Sequence, residues 1–143
     1  MKKWVALCLG ILLLFSAGEC VHAAMKRSAR VDRAEIGIDA SETYSEREIR
    51  AAMKVVKRRF KWNYRSTLLS LSYNDEKSSA AAAEWAARYG ADEAIVLYSD
   101  FVTDDDERMY GTGLEPGYTY RGWSWVLVRS HGGRWRLKNW GYG

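Results

Sequence analysis

The chain has little of what most active-site chemistry uses: two cysteines, one proline and two histidines in 143 residues. Nor does it contain an apolar run of the roughly 20 residues that a membrane-crossing helix needs. Both cysteines, Cys8 and Cys20, fall in the opening segment. There Lys2 and Lys3 precede an apolar run from Trp4 to Phe15, and small and polar residues lead on to Val21-His22-Ala23. This is the pattern of a secretory signal peptide over residues 1–23, cleaved after Ala23, and it predicts a secreted, extracellular protein. The alternatives are a membrane anchor formed by an uncleaved N-terminus, or a lipid on Cys20. Glu19 stands where a small residue normally precedes a lipidated cysteine.

Cleavage after Ala23 removes every thiol. Disulfides, thiolate catalysis and Cys-zinc sites are thereby excluded from the mature chain, and its stability must come from packing. His131 is the one histidine left, in a glycine-rich turn, so no His/Cys cluster offers a zinc or transition-metal site. The acidic run Asp104, Asp105, Asp106 and Glu107 lacks the alternating ligands and central glycine of an EF-hand loop. There is no P-loop, and Gly111-Thr112-Gly113 does not join a strand to a helix. No cofactor and no metal are expected. The formal net charge of +4 drops by one when the signal segment leaves. That mild excess predicts no nucleic-acid partner and at most weak contact with an anionic cell envelope.

Aromatic residues are what the chain has in quantity, with seven tryptophans and nine tyrosines. Four tryptophans sit in the last stretch, Tyr118 to Gly143, where two strand-like runs flank Ser130-His131-Gly132-Gly133. Aromatic and β-branched runs around paired glycines predict a β-hairpin. Upstream, residues 24–43 show no sustained period and read as a flexible leader, leaving a single domain over residues 44–143. Ser45 and Glu48 form a capping box, and Tyr44 and Ile49 a hydrophobic staple, so a helix starts at Glu46. Ile49, Ala52, Met53, Val56 and Phe60 make its core stripe, while Arg47, Arg50, Lys54, Lys57, Arg58 and Lys61 fall on the other side. Ser66–Tyr73 alternates as a strand with Leu69, Leu71 and Tyr73 inward. Ala80–Tyr89 reads as a second helix, capped at Ser78 or Ser79 and ended by Gly90. Glu93–Val102 is apolar on both parities, as in the middle of a covered sheet. Thr103–Gly117 is a long irregular loop. The expected fold is α+β: a mainly antiparallel, curved, cone-like sheet of about four strands with two helices packed on one face.

The faces of the hairpin depend on its loop. An even loop puts Ser124, Val126, Val128, Trp135, Leu137 and Asn139 on a core face. Trp123, Trp125, Leu127, Arg129, Arg136, Lys138 and Trp140 then share the other face. A three-residue loop with a bulge instead brings Trp123, Trp125, Trp135 and Leu137 together. In the even case, Trp123, Trp125, Arg129, Arg136, Lys138 and Trp140 form the candidate binding surface, since tryptophan and arginine dominate binding hot spots. The same tryptophans would suit a homodimer interface or simple packing. Asp100, near the end of the apolar strand, is the one catalytic candidate, as desolvation there would suit it to general-base work.

The segments YSEREIRAAMKVVKRRF, LSYNDEKS, YGADEAIVLYSDF and WSWVLVRSHGGRWRLKNWGYG resemble a domain-of-unknown-function family of small secreted or lipid-anchored proteins of Gram-positive bacteria, over residues 43–143. The closing hairpin is also similar to that of nuclear-transport-factor-like (SnoaL-like) α+β cone folds. That second resemblance implies a pocket inside a cone, used elsewhere by isomerases, dehydratases and non-catalytic binders. The function expected is a non-catalytic module of the cell exterior that binds a small ligand or a protein partner. The alternatives are a small cofactor-free enzyme acting in a cone pocket with Asp100 as base, and a binder of anionic envelope polymers through Lys54, Lys57, Arg58 and Lys61.

Overall fold

A computed structural model describes residues 30–63 and 65–142, with the side chains of Trp62 and Asn63 excepted. The expected signal peptide and Cys20 lie outside the described residues. The elements are β1 (Glu35–Ile38), α1 (Glu46–Asn63), β2 (Ser66–Tyr73), α2 (Asp75–Arg88), β3 (Glu93–Thr103), a 3-10 turn (Glu107–Thr112), β4 (Thr119–Arg129) and β5 (Arg136–Gly141). They form one open five-stranded sheet in the order β1-β2-β3-β4-β5. The β2–β5 pairs are antiparallel, and β1 joins β2 in parallel.

The α+β class stands, with three corrections. The sheet is mixed and has five strands, because part of the expected leader is β1. The sheet is not closed. The helices cover opposite faces. Strand alternation turns Ile95, Leu97 and Leu127 toward Ile49, Met53, Val56 and Phe60 of α1. It turns Ala94 and Val128 toward Trp85 and Ala86 of α2 and Tyr89 at its C-cap. The two-sided apolar pattern of β3 is thus satisfied by a helix on each side.

Helix α1 starts as its capping box dictates. Glu48 Oε2 accepts the Ser45 N–H at 2.9 Å, and Ser45 Oγ accepts the Glu48 N–H at 3.4 Å. Tyr44 and Ile49 are both buried. Helix α2 starts earlier than expected, because Asn74 Oδ1 accepts the Lys77 N–H at 2.9 Å. Ser78 is therefore inside the helix, buried, with its Oγ accepting the Val96 N–H at 3.0 Å. A bulge between Leu68 and Ser70 switches the parity of β2, so Leu68 is buried and Leu69 exposed.

The Thr103–Gly117 loop is tied down. Met109 and Leu114 are buried. Thr103 Oγ1 donates to the Glu115 carbonyl, and Asp106 is ion-paired with Arg108. Asp104 pairs with Arg30 at 2.9 Å.

Candidate functional site

The hairpin turn sets the geometry. His131 and Gly132 both have positive φ, 55° and 62°, and the Gly133 N–H donates to the Ser130 carbonyl at 3.0 Å. Two successive left-handed residues make a tight hairpin turn whose twist matches the flanking strands. Past it, β5 carries an extra residue, Lys138, between the pairs Val126–Asn139 and Leu127–Leu137. The even-loop reading is therefore right at the far end, where Trp125 pairs with Trp140. It is wrong near the turn. There Leu137 pairs with Leu127 and Arg136 with Val128, so Trp135 and Leu137 join Trp123 and Trp125 on the α1 side, the grouping the bulged alternative gives.

The six candidate binding residues consequently do not share one surface. Trp125 is fully buried, its Nε1 donating to Ser99 Oγ at 2.8 Å. Trp123 is half-buried among Phe101, Tyr120 and Tyr142, with ring centroids 5.3–5.5 Å away. Trp140 is exposed, with the Arg59 guanidinium 4.7 Å from its ring. Arg136 and Lys138 are exposed on the edge strand β5. Arg129 is the exception that organises its surroundings. Its side chain is 11 % exposed and contacts Glu93 at 2.6 Å and Glu48 at 2.7 Å. Its guanidinium lies 4.3 Å from the Trp135 ring and 5.6 Å from the Tyr44 ring.

Around Arg129 the ionisations are fixed. Hydrogen bonds from Arg129 and Ser45 hold the Glu48 carboxyl down at about 2. The Glu93 and Glu48 carboxylates raise Arg129 against the opposing effect of burial. Burial and the nearby Glu93 push Tyr44 up to about 12. Trp135 Nε1 donates to the Glu48 carbonyl at 3.2 Å, and the Tyr44 hydroxyl to the Ala94 carbonyl at 3.2 Å.

Above this node runs a groove of about 700 Å³ between α1 and the hairpin turn, lined on the helix by Arg47, Glu48, Ala51, Val55 and Arg58 and on the turn by Gly132, Gly133, Arg134 and Trp135. Arg47, Arg58 and Arg134 are exposed and make no ion pair among the described residues. The carboxylate of Glu48 is already engaged by Arg129. Of the envelope-binding residues expected from sequence, only Arg58 lines this groove; Lys54 and Lys61 are exposed elsewhere on α1. Arg134 had no signal in the sequence, because its position depends on the turn.

Asp100 lies where β4 bulges between Trp123 and Tyr120. Its Oδ1 accepts the Gly122 N–H at 2.8 Å, and its Oδ2 meets Arg121 at 3.3 Å. Gly122 has φ 65°, so the carboxylate braces a left-handed bulge.

No protein family, curated protein or solved structure matches this chain.

Proposed function

We propose that this protein is a non-catalytic binding module of the cell exterior, and that its site is the basic groove between α1 and the hairpin turn, which holds an anionic partner. The observation that carries the reading is the convergence of Arg47, Arg58 and Arg134, unpaired among the described residues, on one groove. Guanidinium groups bind carboxylates and phosphates through two parallel hydrogen bonds, so free arginines in a groove favour such groups. Ala51, Val55 and the Trp135 edge add apolar surface for the body of the partner. Glu48, held near 2, stays ionised at neutral pH and is poorly matched to proton transfer there. Export rests on the signal-peptide pattern, and it predicts a mature chain beginning at Ala24 by N-terminal sequencing.

The test of the groove uses long-chain polyphosphate and poly-glutamate as probes. Both should bind the parent protein at low ionic strength and weaken steeply as salt rises. The triple variant Arg47→Glu, Arg58→Glu, Arg134→Glu should keep its fold and lose at least ten-fold in affinity. Equal binding by parent and variant would overturn the reading.

A further inference from the structure

A second groove runs along the opposite flank of α1, between that helix and β1. Ile36 and Ile38 supply the strand wall, Ile49 and, just ahead of the helix, Tyr44 the other wall, and the space is about 580 Å³. That is within the usual size of a binding cleft. β1 is the outermost strand and, among the described residues, pairs only with β2. The Asp39 N–H donates to the Tyr73 carbonyl at 3.1 Å. Backbone groups alternate in direction along a strand, so Glu35, Gly37 and Asp39 face β2. Ile36 and Ile38 then turn their N–H and C=O groups outward. Among the described residues, these four main-chain groups have no partner, and they stand beside a cleft overhung by a helix. A strand added there would complete those hydrogen bonds and drop alternate side chains into the cleft, as in strand-addition recognition of peptides.

The charges select the occupant. Glu35 is exposed, and Asp39 and Glu46 line the cleft. Glu46 and Arg50, the cation in that lining, are paired with each other at 2.7 Å and cancel, which leaves Glu35 and Asp39 as the net charge of this edge. A second copy of β1 laid antiparallel about Gly37 would set Glu35 opposite Asp39 twice, and like charges directly opposite are destabilising. We propose that the β1 edge takes an extended peptide of another protein as a sixth strand, apolar at alternate positions and flanked by lysine or arginine.

The experiment titrates isotope-labelled protein with the blocked peptide Lys-Val-Thr-Val-Lys and follows backbone amides by NMR. The amides of Ile36, Ile38 and Ile49 should shift together. Peptides N-methylated at every second amide, made in both phases, should differ, with one phase at least ten-fold weaker. Glu35→Lys, on an exposed side chain, should weaken the lysine peptide several-fold and strengthen its glutamate counterpart. Absence of shifts at millimolar peptide, shifts away from β1, or equal binding of both methylated phases would each overturn the proposal. The arginine-lined groove is on the other flank of α1, so either site can fail without the other.

Discussion

Arg129 and Glu48 are 81 residues apart in the chain and 2.7 Å apart in the fold. With Glu93 they tie α1, β3 and β4 together beneath the basic groove. Glu48 and Glu93 keep 35 % and 32 % side-chain exposure, so water softens their pairing. Arg129→Met should therefore cost about 2 kcal/mol, below the range for fully buried pairs. Arg129→Lys should recover only part of this, since an ammonium cannot bridge two carboxylates while stacking on Trp135. Urea unfolding of the three proteins measures both effects.

The same node sets the pH dependence. Glu48 has a folded pKa of about 2, below its usual 4.5. Its contribution is complete above about 4.5 and is lost as pH falls toward 2. Tyr44 is shifted the other way, from 10 to about 12, so its contribution is complete below 10 and lost as pH rises toward 12. A stability profile should bend downward in both windows. Glu48→Gln should flatten the acid bend, and Tyr44→Phe the alkaline one.

Trp125 on the inner strand β4 and its cross-strand partner Trp140 on the edge strand β5 are unequal. Trp125 is sealed between α1 and the sheet, and Trp125→Ala should cost about 3–5 kcal/mol. Trp140 is 40 % exposed and contacts Arg59 through its ring face, so Trp140→Ala should cost about 1 kcal/mol or less. Comparable losses at the two positions in chemical unfolding would contradict this inner and edge placement.

Asp100 braces the Gly122 bulge rather than a cavity. Asp100→Ala should destabilise by about 1 kcal/mol, the net worth of a hydrogen bond whose exposed donor can turn to water. It should leave polyphosphate binding unchanged at the distant groove. Paired unfolding and binding measurements check both halves.

Much of this architecture was legible in local chemistry. The box of Ser45 and Glu48, the staple of Tyr44 and Ile49 and the two-sided strand β3 each announce themselves within a few residues. β1 did not. Four residues with a central glycine carry almost no strand signal, and they become a strand because β2 offers an edge. The bulges at Leu69 and Lys138 were hidden for a related reason: each inverts the faces beyond it and is decided by packing between strands. Lys138 thus moved Trp135 and Leu137 to the α1 side and broke up the expected aromatic-cationic surface. The basic stripe of α1 was visible, but which of its cations line the groove depends on where the hairpin turn places Arg134. The pairing of Arg129 with Glu48 and Glu93 spans three elements and has no short-range signature.

The most direct test of the anionic-partner reading follows the backbone amide, arginine side-chain Nε–H and tryptophan indole resonances while long-chain polyphosphate is titrated into the protein. Saturable shifts at Arg47, Arg58, Arg134 and Trp135, with Lys54 and Lys61 little affected, are the predicted result. Shifts spread evenly over the cationic surface, or confined to Tyr118, Trp123 and Tyr142, would contradict it.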